Sequence, residues 1–173
     1  MRFAFHNGVF VSGLKKMPHV YLALYKGQKQ GKDLKSLIAR FLDYSVRKIT
    51  KSPYSHCEIA IKTTANRYKC YSSSARDKGV RCKTMELSSD KWDLISLPES
   101  ISIYALKLFK ETQGEKYDYL GVMRFILPFI EPSQTRWFCS EWCAEVLGFD
   151  DPEEFSPQNL ADELKDIPQY DEQ

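Results

Sequence analysis

The chain has 173 residues, 43% of them hydrophobic and 28% charged, which is enough apolar material for one buried core and too much for a disordered chain. Its 25 Lys and Arg against 23 Asp and Glu leave a formal net charge of +2, too balanced for a nucleic-acid surface built on a clustered basic face. These figures exclude little else, so the order of elements carries the next step.

Val20-Tyr21-Leu22-Ala23-Leu24-Tyr25 is apolar and aromatic and runs into Lys26-Gly27-Gln28, a strand with a turn signal. From Asp33, a plausible N-cap, Leu34, Leu37, Ile38, Phe41 and Leu42 repeat at the three-four spacing of one buried helical face. Lys51-Ser52-Pro53 breaks the chain before a strand over Ser55 to Ile61. Three more strands are expected at Tyr68 to Ser73, Val80 to Met85 and Trp92 to Leu97. Arg76-Asp77-Lys78-Gly79 forms a hairpin turn in which Gly79 is free to take positive φ. Helices are then predicted over Ile101 to Thr112, Tyr117 to Phe125, Cys139 to Leu147 and Ser156 to Leu164. The last carries an N-cap serine with proline at its first turn. Strands followed by helices define an α+β class, one domain over residues 1–168 with a polar tail at 169–173.

Met1 to Gly8 is interrupted by polar groups and lacks the apolar core of a signal peptide. Val122 to Ile130 is broken by Arg124 and Pro128, so no membrane span is expected. The five cysteines are Cys57, Cys70, Cys82, Cys139 and Cys143, an odd number that with no export signal points to reduced thiols in the cytoplasm. There is no Cys-x-x-Cys, and no histidine follows Cys139 and Cys143 closely, so neither a metal nor a cofactor is expected.

Cys139 opens a predicted helix in Trp137-Phe138-Cys139-Ser140-Glu141-Trp142-Cys143. Unpaired N–H groups and the positive end of the dipole favour a thiolate there. Cys143, Val146 and Leu147 form the inner stripe of the same helix. A cysteine nucleophile also needs a base. Of three histidines, His6 and His19 lie in turn-like sequence, whereas His56 heads a strand. Cys57, Ile59 and Ile61 share that strand's apolar face, which places His56, Glu58 and Ala60 on the other. The group that fixes the imidazole is either Glu58, charged but on the same strand, or a serine of Tyr71-Ser72-Ser73-Ser74 on the next one. Arg76, Asp77 and Arg81 flank the following turn, where they either hold the loop by salt bridges, the default role, or meet an anionic substrate.

Histidine on an early strand, a polar residue on the next and cysteine opening a late helix form an order that resembles the circularly permuted, papain-like branch of the NlpC hydrolase superfamily. The YiiX-like and lecithin:retinol acyltransferase-like proteins belong to that branch. The resemblance is carried by Tyr54 to Ile61, Tyr71 to Arg81, Tyr117-Asp118 and Phe138-Cys139-Ser140-Glu141, with Leu22 to Gly27 similar to the opening strand of phage-encoded members. It implies a central antiparallel sheet packed against helices, Cys139 as nucleophile, His56 as base and the Cys139 backbone N–H in the oxyanion hole. In that group a glutamate on the strand after the histidine completes the site; here Ser72 or Ser73 stands in its place.

The activity implied is hydrolysis of an amide or ester bond, or acyl transfer, through a thioester on a peptidoglycan-peptide or acyl-group substrate. Phe125, Leu127, Phe129 and Ile130 around Pro128 are candidates to line an acyl pocket. The alternative is a catalytically weak or inactive member acting as a binding or inhibitor module on a host protein. Serine in place of a charged orienter favours that reading.

Overall fold

A computed structural model of the chain describes residues 19–27, 47–48, 51–123, 129, 133 and 135–165. Among the described residues seven strands form one sheet: β1 (Val20–Tyr25), β2 (His56–Thr64), β3 (Arg67–Ser74), β4 (Gly79–Met85), β5 (Trp92–Leu97), β6 (Lys116–Tyr117) and β7 (Arg136–Trp137). Their spatial order is β5-β1-β2-β3-β4-β6-β7, antiparallel throughout except for the short parallel pair of β6 and β7. The described helices are α1 (Ile101–Thr112), α2 (Tyr119–Met123), α3 (Cys139–Leu147) and α4 (Pro157–Lys165), with a 3₁₀ turn at Pro152–Glu154. The mixed α and β architecture agrees with the α+β class. The helix expected from Asp33 lies outside the described residues, as does the tail.

Strand alternation divides the apolar residues between two sides of the sheet. Val20, Leu22 and Leu24 of β1 join Cys57, Ile59 and Ile61 of β2 in the main core, beneath α1, α3 and α4. Ala23, Ala60, Tyr68 and Cys70 form a smaller cluster on the other side, covered in part by Tyr21, Met85 and Trp92. In α3 every residue from Cys139 to Leu147 except Glu145 is buried. Trp142, wholly enclosed, donates its indole N–H to Thr112 Oγ1 at 3.0 Å and so ties α3 to α1.

Local chemistry sets the ends of these elements. Ser156 caps α4: its Oγ accepts the Asn159 N–H, and Asn159 Oδ1 accepts the Ser156 N–H at 3.1 Å. Left-handed Gly148 (φ 74) closes α3. In the β3–β4 hairpin Gly79 takes positive φ (155) as expected, Lys78 (φ 68) does so beside it, and Gly79 is needed for space as well. A Cβ on Gly79 would stand 1.9 Å from the Glu115 carbonyl oxygen. The helix predicted from Tyr117 begins instead at Tyr119, because Tyr117 is drawn into β6 and Asp118 caps α2 through the Leu120 N–H at 3.0 Å.

Candidate active site

Cys139 is the first residue of α3, and the sheet fixes the approach to it. Ser73 Oγ donates to the Trp137 carbonyl at 2.6 Å, and the Asp118 N–H donates to the same oxygen at 2.9 Å. Phe138 is buried against α2, so closely that a Cβ on Gly121 would lie 2.9 Å from its ring. Its N–H donates to Glu141 Oε2 at 3.1 Å, half of a capping box whose other half a phenylalanine side chain cannot supply. The thiol is thus held at a helix N-terminus, where it is 5% exposed.

The main core brings β2 to it. The backbone ladder between β2 and β3 ends at Ile59 and Tyr71. Beyond that point the Cys57 carbonyl accepts from Ser72 Oγ at 2.8 Å, and the Cys57 N–H meets the Cys139 sulfur. His56, one residue earlier, stands near enough to the same sulfur for the charges of the two groups to interact.

The imidazole is oriented by Glu58, whose Oε1 lies 3.0 Å from His56 Nε2. Glu58 is 1% exposed and would be an uncompensated buried charge without Arg81. Arg81 Nη1 and Nη2 donate to its two oxygens, each at 2.8 Å, a fork-on-fork pair. The Arg81 Nε donates to Asp77 Oδ2 at 3.0 Å, and Nη1 also reaches the Cys70 carbonyl at 3.2 Å. Register explains the reach: Arg81 on β4 stands opposite Ser72 on β3, and the small serine lets the guanidinium cross to Glu58 on β2.

These contacts order the charges. The Cys57 thiol donating to Cys139, together with the cation on His56, holds the Cys139 thiol well below its ordinary value despite burial. Burial alone would pull the His56 ring down, but the Cys139 thiolate and the Glu58 carboxylate outweigh it and push the ring up to about 9. Burial likewise works against ionised Glu58; Arg81 and His56 overcome it and bring its carboxyl down to about 2. Cys139, His56, Glu58, Arg81 and Asp77 therefore form a line of alternating charge.

Of the predicted site residues, Cys139, His56 and Glu58 come together. The hydroxyls of Ser72 and Ser73 do not touch the imidazole but hold the backbone carbonyls of Cys57 and Trp137. Between the two alternatives for orienting His56, the geometry selects Glu58. Arg81 and Cys57 were not anticipated as parts of the site. The turn runs from Ala75 to Lys78, one residue earlier than the expected Arg76 to Gly79, and that shift pairs Arg81 with Ser72 where the expected turn would have paired it with Ser74. Of the candidate pocket residues, Phe129 is exposed, and Phe125, Leu127 and Ile130 lie outside the described residues. On the outer side of His56 the Trp92 ring stands 6.5 Å away and packs edge-on against Tyr25. Among the described residues no three metal-ligating side chains are placed to hold an ion, and no helix is long and apolar enough to cross a membrane.

No protein-family model, curated protein or solved structure matches the chain.

Proposed function

We propose that the chain is a cysteine-nucleophile hydrolase or acyltransferase of the circularly permuted, papain-like NlpC type. It would act on an amide or ester bond of a peptidoglycan-peptide or acyl-group substrate. The observation that carries this reading is the unbroken line from a helix-N-terminal cysteine through His56 and Glu58 to Arg81.

The Cys139 thiolate attacks the acyl carbon, and the new oxyanion forms beside the first turn of α3, where the Cys139 N–H is a donor. His56 gives its proton to the leaving nitrogen or oxygen as the bond to carbon breaks, leaving a thioester. The neutral ring then takes a proton from water or another acceptor, which attacks the thioester and releases the sulfur. With Nε2 committed to Glu58, Nδ1 is the ring nitrogen left for these transfers. Glu58 fixes that tautomer and stabilises the imidazolium, and Arg81 keeps Glu58 ionised without contributing a proton.

The binding-module reading drew on serine replacing a charged orienter. Glu58 supplies that charge from the histidine's own strand, which removes the reason to prefer it. Cysteine-resolved iodoacetamide labelling across pH tests the proposal. Cys139 should label at pH values well below the ordinary free-thiol pKa of about 8.5, and far faster than the exposed Cys82. Cys139→Ala should abolish labelling by electrophilic acyl probes, and His56→Ala should move Cys139 reactivity to higher pH. A Cys139 that reacts no faster than Cys82, or a pH curve indifferent to His56, would sink it.

A further inference from the structure

Trp92, Tyr25 and His56 stand in one row. The register sets Tyr25 opposite Trp92 on one side and opposite His56 on the other, so the three side chains leave the same face of β5, β1 and β2. Each is a terminal residue of its strand, which puts the row at the end of the sheet where β2 starts. The Trp92 ring lies 5.0 Å from Tyr25 at 61° and 6.5 Å from the imidazole at 66°, edge-on to both. All three residues are half-buried, and the His56 side chain keeps 16% of its surface exposed.

Packing does not use all of the indole. Part of it covers the small cluster of Ala23, Ala60, Tyr68 and Cys70. The other two tryptophans direct their N–H groups into the protein, Trp137 to Glu115 Oε2 and Trp142 to Thr112 Oγ1. The Trp92 N–H has no partner among the described residues and is not enclosed. The strand beneath it is nevertheless fixed. The Lys91 carbonyl accepts the Lys26 and Gly27 N–H groups at 2.9 and 3.2 Å, and Asp93, on the opposite face, accepts from Lys26 Nζ and from the Tyr54 hydroxyl. A half-exposed ring with a free donor, held rigidly beside the imidazole, is placed to contact something outside the chain.

We propose that Trp92, backed by Tyr25, is the wall of the leaving-group subsite and selects an amine or alcohol carrying a flat apolar group beside the scissile bond. The inference rests on Cys139 being the nucleophile and His56 the acid. His56 protonates the departing nitrogen or oxygen, so that atom must come within hydrogen-bond reach of the imidazole. Strand order gives the direction of the rest. β3 and β7, which hold the approach to Cys139, lie on one side of β2, while β1 and β5 lie on the other. A substituent that continues past His56 away from the sulfur therefore meets the indole. The acyl portion stays on the sulfur, so Trp92 reads what leaves rather than what is retained.

The test compares turnover of the benzyl and methyl esters of N-acetylalanine, which share an acyl group and have leaving alcohols of similar acidity, with Cys139 iodoacetamide labelling measured on the same protein. The expected kcat/KM for the benzyl ester is about tenfold above that for the methyl ester, within the range a hydrophobic pocket contributes. Trp92→Leu keeps apolar cover over the cluster but loses the flat face, and should bring that ratio to about unity, chiefly through KM. Trp92→Phe should retain most of the preference. With rapid Cys139 labelling, equal turnover of the two esters, no turnover of the benzyl ester, or a Trp92→Leu protein that loses both rates in proportion overturns the subsite and leaves the nucleophile standing. Slow Cys139 labelling removes the nucleophile and the subsite with it.

Discussion

Replacing Glu58 with glutamine keeps its shape and removes its charge, which makes it a direct probe of the buried line. Glu58 is 1% exposed and accepts two bonds of 2.8 Å from Arg81 and one of 3.0 Å from His56. Its carboxyl is lowered from an ordinary 4.5 to about 2. At about 1.4 kcal/mol per pKa unit this corresponds to about 3 kcal/mol in favour of the folded, ionised state. Breaking a buried ion pair by removing one partner costs about 3–5 kcal/mol, so two independent routes agree. Because the folded pKa is the lower one, this contribution is fully present above pH 4.5 and is lost as pH falls through about 2. Glu58→Gln should therefore lower urea-unfolding stability by about 3 kcal/mol at pH 7, equivalent to about 6–12 °C in Tm for a domain of this size. The difference from the parent protein should shrink below pH 4.5. Adding Arg81→Met should restore part of the loss, since it removes the cation left without a partner. A Glu58→Gln protein as stable as the parent at pH 7, with a difference that does not depend on pH, would refute the reasoning.

Other measurements follow from the same contacts. His56 titrates at about 9, so its share of folding stability is complete below its ordinary 6.5 and lost as pH rises through about 9. Turnover of an acyl substrate should accordingly fall along an alkaline limb near pH 9, and a profile still rising there would contradict His56 as the proton donor. Ser72→Leu places a bulky side chain under the Arg81–Glu58 bridge and removes the hydroxyl from the Cys57 carbonyl. It should destabilise by about 1–3 kcal/mol and slow Cys139 labelling, read by urea titration and mass spectrometry. Gly79→Ala must force β4 and Glu115 apart and should lower stability by a similar amount, of about 1–3 kcal/mol, without shifting the pH at which Cys139 becomes reactive.

Where local periodicity and capping decide an element, the sequence reading and the structure coincide. Val20–Tyr25, Trp92–Leu97, Ile101–Thr112 and Cys139–Leu147 have the bounds that their patterns predict. The alternation of His56 to Ile61 also put Glu58 on the side of His56, away from the Cys57, Ile59 and Ile61 core. The short strands β6 and β7 carry no such pattern. Two residues cannot show a period, and these pair only because Gly79 lets Lys116 approach β4. The choice between Glu58 and a serine for orienting His56 was hidden for a different reason. It depends on an arginine from a third strand making a buried carboxylate tolerable, a relation that no single strand displays.

The two serines that first looked like substitutes for a charged residue have a role that follows from that choice. A thiol can meet a strand N–H only where the sheet's own ladder stops, and a stopped ladder strands carbonyls in the core, which is costly unless something else donates to them. Ser72 donates to the Cys57 carbonyl on the strand that carries His56, and Ser73 adds a second donor to the Trp137 carbonyl, which already accepts the Asp118 N–H two residues before Cys139. Each also stays small: the one at 72 leaves Arg81 a path across β3, which a glutamate at that position would fill. A carboxylate on β3 and a carboxylate on β2 are thus competing ways to orient the same imidazole. With Glu58 and Arg81 in place, serine at 72 is what the geometry requires, so its presence carries no implication that the proposed chemistry has been lost.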